Sequence, residues 1–479
     1  MNFLLIICDQ LRQDALGFYG NKIIKTPNID NLANESAVFT NAYCASPLCV
    51  PARISILTGR YVISFAGGHS GSGHSAAPRL SHLLKEAGYH TAALGKMHFD
   101  PCTSSYGFDR FVKSEDTSEH RQYKDDYQQY LAQKGLFEWG HGLDNWDIVW
   151  TASLLKKEDY VTTWNGDQAV EYLRSGRPKD RPFFCVCSFP KPHPPFDPPK
   201  PYDTMYDPQT LPLPKGCIDP IENKPQTIRQ WQQAWDFNFC MQRRIQSNIT
   251  SHYYGNISLI DDQIGRITET LREQKIYDDT VILFLSDHGE QLGDQRCFMK
   301  HFGYESSIHI PMFIKAPGIR PGTCDRFVNQ TDIVPTICSL AGISAPPRAD
   351  GLDLLKTYSG KAPEREYSVS NSAAGGGWFS IQTKKWKYIY YLNGGEHELY
   401  DISNGCEEEN LARNPNYAGQ VKTMQSALIE WLSALQKNSD PGAPLYTENG
   451  KLKFKPYNDK IFNSIKRRPL AHRIPDYLT

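Results

Sequence analysis

Four apolar runs punctuate the chain, and each one ends in a polar cluster. Phe3-Leu-Leu-Ile-Ile-Cys8 runs into Asp9-Gln10, and residues 90–94 run into Gly95-Lys96-Met97-His98. Residues 183–189 run into Lys191-Pro192-His193, and residues 281–285 into Ser286-Asp287-His288. Unbroken apolar runs of this length predict strands covered on both faces, as in a parallel sheet. Helical periodicity lies between them. Leu80, Leu83, Leu84 and Ala87 share one face, with Gly88 placed as a stop. Ile257, Ile260, Ile264, Ile267 and Leu271 form a longer stripe. Thr26-Pro27 ahead of Ile29, Leu32 and Ala33 reads as an N-cap with Pro at the first helical position. Strands alternating with helices predict an α/β fold, a mostly parallel sheet sandwiched by helices. In such sheets ligands bind beyond the carboxyl ends of the strands. All four polar clusters fall at such ends, so they can converge in one site.

Other stretches break the pattern. Residues 190–225 hold 12 of the 32 prolines and predict an ordered loop, neither helix nor central strand. Residues 103–165, with Trp139, Trp146, Trp150 and Trp164, read as an excursion near the site mouth. After about residue 375 come Trp378-Phe-Ser-Ile-Gln, Trp386-Lys-Tyr-Ile-Tyr-Tyr391 and Glu398-Leu-Tyr-Asp401. These predict a small antiparallel sheet, followed by a helix carrying Met424, Leu428, Trp431 and Leu432. The expected division is a main domain over 1–374 and a smaller C-terminal α+β domain over 375–479 with an extended tail. The basic Ile465-Lys-Arg-Arg-Pro reads as solvated surface, and the tail from about 455 can reach a neighbour in a homo-oligomer.

Composition narrows the function classes. Lys plus Arg is 52 and Asp plus Glu is 53, a net charge of -1. That balance argues against a nucleic-acid partner, which needs a clustered positive surplus. No apolar run approaches the roughly 20 residues of a membrane span. The 12 cysteines show no disulfide framework, and Cys185 and Cys187 read as small hydrophobes in a strand. The N-terminus has no basic leader segment and no small-residue cleavage site, so a cytoplasmic location is expected. The sequons at Asn248 and Asn256 matter only in a secreted chain.

Residues 48–61 carry the most specific signal: Leu48-Cys49-Val50-Pro51-Ala52-Arg53, continuing to Thr58-Gly59-Arg60-Tyr61. Pro51 suits the first turn of a helix, which puts Cys49 near exposed N–H groups that favour anions. Arg53 lies one turn on and can lean back toward Cys49. This segment resembles the signature of the formylglycine-dependent, type I sulfatases of the alkaline phosphatase superfamily, matching at Cys49, Pro51, Ala52, Arg53, Thr58, Gly59 and Arg60. Satellite motifs agree in order. Asp9-Gln10 stands where that family has its N-terminal metal pair, often Asp-Asp, and Asp287-His288 where other members have Asp-Asn. Gly95-Lys96-Met97-His98 resembles its Gly-Lys-x-His, and Pro192-His193 its Pro-His-x-Pro-Phe. Lys300, Glu398-Leu-Tyr-Asp401 and Asn410-Leu-Ala412 resemble further landmarks. The likeness covers most of residues 1–415.

The resemblance implies an alkaline-phosphatase-like fold and hydrolysis of a carbohydrate or aryl sulfate monoester. It implies that a maturation enzyme oxidises Cys49 to formylglycine (3-oxoalanine), whose hydrated form attacks sulfur. By the same likeness His193 and Lys300 stabilise the sulfate and protonate the leaving oxygen. His98 takes the proton whose loss expels sulfate, Lys96 bridges nucleophile and sulfate, and Arg53 holds the nucleophile. The implied metal ligands are Asp9, Gln10, matured Cys49, Asp287 and His288. Oxygen ligands suit calcium, which the resemblance favours, while the His288 nitrogen fits manganese better. One departure points to a rival. Many sulfatases carry Arg where His309 stands, and with Gln10 and His288 this resembles the phosphonate monoester hydrolase and phosphodiesterase branch. Lys96 and His98 argue against that branch. For the leaving group, the aromatic faces of Trp231 and Trp235 suit sugar rings, and ordinary loop packing explains them equally well. His69 and His74, in a Gly-Ser-rich loop, are further candidates for lining the pocket.

Overall fold

The computed structural model describes residues 1–65, 77–99, 104–115, 125–137, 150–214, 221–234, 242–372, 377–444 and 446–453. His69, His74, Trp139, Trp146, Trp235 and the tail from 454 lie outside the described residues.

The apolar runs become the centre of an eight-stranded sheet. Its strands are β1 (Asn2–Asp9), β2 (Ala37–Tyr43), β3 (His90–Gly95), β4 (Arg110–Lys113), β5 (Phe183–Pro192), β6 (Thr280–Ser286), β7 (Met312–Lys315) and β8 (Gly322–Asn329). They are ordered β4-β3-β5-β1-β6-β7-β2-β8, and only β7 runs against its neighbours. The reason for unbroken hydrophobicity is visible in β1. Leu4, Ile6 and Cys8 face one core, and Phe3, Leu5 and Ile7 face the other. The first core is closed by the long helix Arg243–Glu273, whose Ile257, Ile260, Ile264, Ile267 and Leu271 stripe is fully buried. The helices Cys49–Thr58, Leu80–Glu86 and Ile333–Ala341 close the second.

One expectation is met with a different bond, and two need correction. Thr26 sits at the N-cap of the helix Pro27–Asn34 but makes no capping bond. Its hydroxyl instead accepts from the Gly17 amide and donates to Asp30, pinning the preceding loop. Second, β5 runs on through Pro190 to Pro192, with a register shift against β1 at Cys8/Asp9. The prolines are tolerated because β3 ends at Gly95, opposite Ser188, so no neighbour needs their missing amides on that side. Third, residues 103–165 are more than an excursion. They supply the edge strand β4, the helix Asp126–Gln133 and the start of the helix Val161–Glu171, whose Trp164 is buried.

A second sheet has four antiparallel strands: β9 (Ser368–Ser372), β10 (Trp378–Gln382), β11 (Trp386–Tyr391) and β12 (His397–Asp401). The helix Ala418–Asn438 covers it through Met424, Leu428 and Leu432. This sheet begins before residue 375, since β9 pairs along β10. Its other face meets the main body: Trp378, Ile389, Tyr391 and Tyr400 join the second core. Cys185 and Cys187 are buried free thiols in β5. Among the described residues no helix is long and apolar enough to cross a membrane.

Candidate active site

The strand ends converge. Asp9 closes β1, Asp287 and His288 follow β6, and Cys49 opens the helix Cys49–Thr58. One donor atom from each lies within 4.8 Å of the others, and all four residues are buried. Cys49 Sγ is 3.3 Å from His288 Nε2 and 3.7 Å from Asp9 Oδ1.

Arg53 locks this group from behind. Its Nε donates to Asp287 Oδ2 at 3.0 Å, one terminal nitrogen reaches Asp9 Oδ2 at 3.3 Å, and the other bonds Ser188 Oγ at 2.8 Å and the Lys96 carbonyl. Lys96 Nζ lies 2.8 Å from Asp9 Oδ2. Gly95 makes this possible. Its φ is +98°, and a Cβ there would stand 2.0 Å from the Ser188 carbonyl oxygen. Gln10, also at positive φ (70°), donates its amide to Asp287 Oδ1 at 3.0 Å. Its side-chain oxygen accepts from Lys300 Nζ at 2.7 Å, and its side-chain nitrogen bonds Glu290. Gln10 therefore sits beside the four donors and steers Lys300.

The electrostatics follow from this crowding. Burial and the neighbouring Cys49 oppose ionisation of Asp9, but Lys96, His193 and Lys300 outweigh them and hold it well below the usual carboxylate range. Burial would raise the Cys49 thiol, yet Lys300, Lys96 and His288, with a hydrogen bond shared with His193, bring it well below the ordinary thiol value. Burial, Lys300 and Lys96 push His193 down. Its Nδ1 is 2.9 Å from the Pro194 carbonyl, which makes Nδ1 the donor and leaves Nε2 to face Cys49 as an acceptor. His288 is raised: burial opposes its charge, while Asp287 and Cys49 favour it.

Asp9, Gln10, Cys49, Arg53, Lys96, His193, Asp287, His288 and Lys300 thus form one bonded neighbourhood. His98 joins from the side. It lines a small pocket with Val50, Arg53 and Ile54, its backbone amide is held by Glu115 at 2.9 Å, and its Nδ1 is buried without a partner. His309 is elsewhere: it stacks on Tyr43 and bonds Glu305 and the Thr40 carbonyl. It borders a separate cavity of about 360 Å³ beside the small sheet, where Arg12 pairs with Asp14 and Asp294. Sequence reasoning missed Ser188, Glu290, Glu115 and Gln330, which bonds the Ser286 and Asp287 carbonyls. Glu115, Glu290 and Gln330 lie just past strand ends, while Ser188 sits inside β5.

The sulfatase family profile matches residues 1–343, well over half of the chain. The chain belongs to the sulfatase family. A second profile, N-sulphoglucosamine sulphohydrolase, C-terminal, matches residues 293–434 and so includes the small sheet of the sulfatase. An arylsulfatase of Clostridium perfringens (strain 13 / Type A) is 31% identical over 479 residues, covering 94% of this chain and 97% of that protein. The phosphonate monoester hydrolase from Silicibacter pomeroyi superposes at TM-score 0.78 with 23% identity, over 95% of this chain and 99% of that one. A solved structure in complex with its substrate D-glucosamine-2-N,6-O-disulfate superposes at TM-score 0.72 with 23% identity, over 92% and 99%. The fold is the alkaline-phosphatase-like one of type I sulfatases, and the sulfatase is a sulfuric ester hydrolase. The family implies a divalent metal and formylglycine, and the Asp9–Cys49–Asp287–His288 cluster has the donor set for such a centre.

Proposed function

We propose that the enzyme hydrolyses a saccharide or aryl sulfate with Cys49 matured to formylglycine by a dedicated maturation enzyme, and with one calcium ion held by Asp9, Gln10, Asp287, His288 and the matured side chain. The observation that carries this is the convergence of two carboxylates, one imidazole and Cys49 within 4.8 Å. The thiol is the one donor out of character, since two carboxylates and a sulfur suit no hard cation. Replacing sulfur by oxygen makes the set mostly oxygen. When bound, the cation and the hydrated aldehyde together supply an activated oxygen nucleophile.

The chain's own residues do the rest. Arg53 fixes both carboxylates, so the ligand geometry exists before substrate arrives. Lys96 and Lys300 flank the cluster and offer ammonium groups to sulfate oxygens. His193, with Nδ1 tied to Pro194, presents an unprotonated Nε2 toward residue 49; Nε2 takes the proton that the nucleophile there releases and passes it to the departing oxygen, with Lys300 as the second donor. His98, with an unpartnered buried Nδ1, holds the proton that is removed as sulfate leaves. A cytoplasmic location is part of the proposal.

The test is direct. Cys49→Ala abolishes turnover, and intact-peptide mass spectrometry finds residue 49 of the active protein about 18 Da lighter than cysteine. An unmodified thiol in active protein sinks the mechanism. Elemental analysis separates calcium from manganese, the reading that His288 Nε2, 3.7 Å from both carboxylates, favours. Activity on p-nitrophenyl sulfate should exceed that on a phosphonate monoester. The reverse ranking would favour the sister branch of the superfamily.

A further inference from the structure

Residue 301 follows the active-site Lys300, and nothing in the proposed chemistry uses it. His301 is 5% exposed, and neither ring nitrogen has a hydrogen-bond partner among the described residues. Its ring stacks on Trp231, centroids 4.8 Å apart and planes 19° apart. Trp231 is 7% exposed, and its Nε1 also lacks a partner. Three buried, unpaired polar atoms therefore sit on two touching side chains. Native interiors pair nearly all such groups, and a cluster of exceptions calls for a reason.

The backbone here is firmly held. The His301 carbonyl accepts from Trp378 Nε1 at 2.9 Å, and the Gly303 carbonyl accepts from Ser380 Oγ at 3.1 Å. The Tyr304 hydroxyl bonds Glu398. The helix Gln226–Ala234, which carries Trp231, is tied at both ends: the Gln226 amide to Glu396 and the Gln232 side chain to the Gln295 carbonyl. The stack also adjoins the chemistry, for the His301 ring lies within electrostatic range of Lys300, His288, Cys49 and His193.

We propose that Trp231 and His301 form the subsite for the leaving group, and that this group is a saccharide with a free hydroxyl beside the sulfated one. The inference rests on the sulfatase reading of the adjoining cluster. A neutral imidazole offers one donor and one acceptor, and the indole adds a donor; hydroxyls, which both donate and accept, match that set. Burial first, then Lys300 and His288, push the His301 ring down to about 3, so it stays neutral at working pH. An aryl group would leave all three atoms unpaired. A quaternary ammonium would lie against Lys300 with no hydrogen bond to accept. One face of Trp231 is already covered by His301, and the Phe302 ring stands nearly perpendicular to the indole, centroids 6.0 Å apart. Its contribution is therefore the N–H edge, not the flat stacking face that the sequence suggested.

The experiment compares kcat/KM on a panel of sulfated monosaccharides, p-nitrophenyl sulfate and choline sulfate, using full-length, matured, metal-loaded protein. The variants are His301→Ala, His301→Gln and Trp231→Phe. The expected result is a wild-type preference for a monosaccharide sulfate, and a fall of about ten-fold or more in the sugar-to-aryl ratio for His301→Ala and Trp231→Phe. His301→Gln, which keeps a donor and an acceptor, should recover part of that ratio. Equal losses on sugar and aryl substrates, or a wild-type preference for choline or aryl sulfate, would overturn the subsite while leaving the sulfatase reading intact. No turnover of any sulfate ester by matured wild type would overturn that reading itself.

Discussion

The floor of the site, at the ends of β1 and β6, and its wall, at Trp231 and His301, are both buried and polar, yet they follow opposite rules. In the floor every charge is answered. Asp9 meets Arg53 and Lys96, and Asp287 meets Arg53 and two backbone amides. In the wall three polar atoms are answered by nothing among the described residues. The energetics explain the division. A buried unpaired charge costs far more than a neutral group, whose penalty is about 1–3 kcal/mol. Charged groups must be interlocked before substrate arrives, and neutral ones can be left for the substrate to satisfy.

Breaking the floor should have the largest effect. Arg53→Met strips a shared partner from two buried carboxylates, so turnover should fall by at least about 10³-fold. Urea unfolding should show a loss of about 3–5 kcal/mol. An unchanged midpoint would mean that Arg53 does not lock the floor. The wall should reveal itself through pH. His301 titrates near 3 when folded, against about 6.5 for a free imidazole. Between those values the unfolded chain binds the extra proton. The stability from keeping the ring neutral is therefore complete above about pH 6.5 and is lost as pH falls, by at most about 1.4 kcal/mol per unit. His301→Gln should flatten the decline in unfolding free energy between pH 7 and 5 by about 2 kcal/mol. A parallel decline would place the ring in solvent. The smallest effect should come from the tie between the two sheets. Trp378→Phe removes the bond to the His301 carbonyl, costing about 1 kcal/mol in thermal melts. It should lower kcat/KM for a sugar sulfate several-fold more than for p-nitrophenyl sulfate.

The floor was largely legible in the sequence and the wall was not. Asp9, Lys96, His193 and Asp287 stand where apolar runs stop, and a doubly covered strand must end at a polar residue before the chain turns. Cys49 and Arg53 announced themselves by spacing. His301 carries no such mark, because its setting depends on Trp378, 77 positions later. The small sheet shows the same limit. Its first strand, Ser-Val-Ser-Asn-Ser, carries a single apolar residue, yet all five residues are buried. Ser370 and Asn371 are satisfied by the carbonyls of Cys44 and Ala45, more than 300 residues away. Hence a division at residue 375 falls between two paired strands. Period and composition describe a segment's own preferences, while a polar strand in a core depends on partners that only the tertiary fold supplies.

The bond from Trp378 grips a carbonyl, an atom every amino acid possesses. Position 301 can therefore accept other side chains without loosening its anchorage, whereas a Cβ at Gly303, 3.2 Å from Ser380 and the Trp378 ring, would press on both. In descendants of this enzyme, new substrates should arise first by exchange at 301, with the catalytic apparatus next door undisturbed.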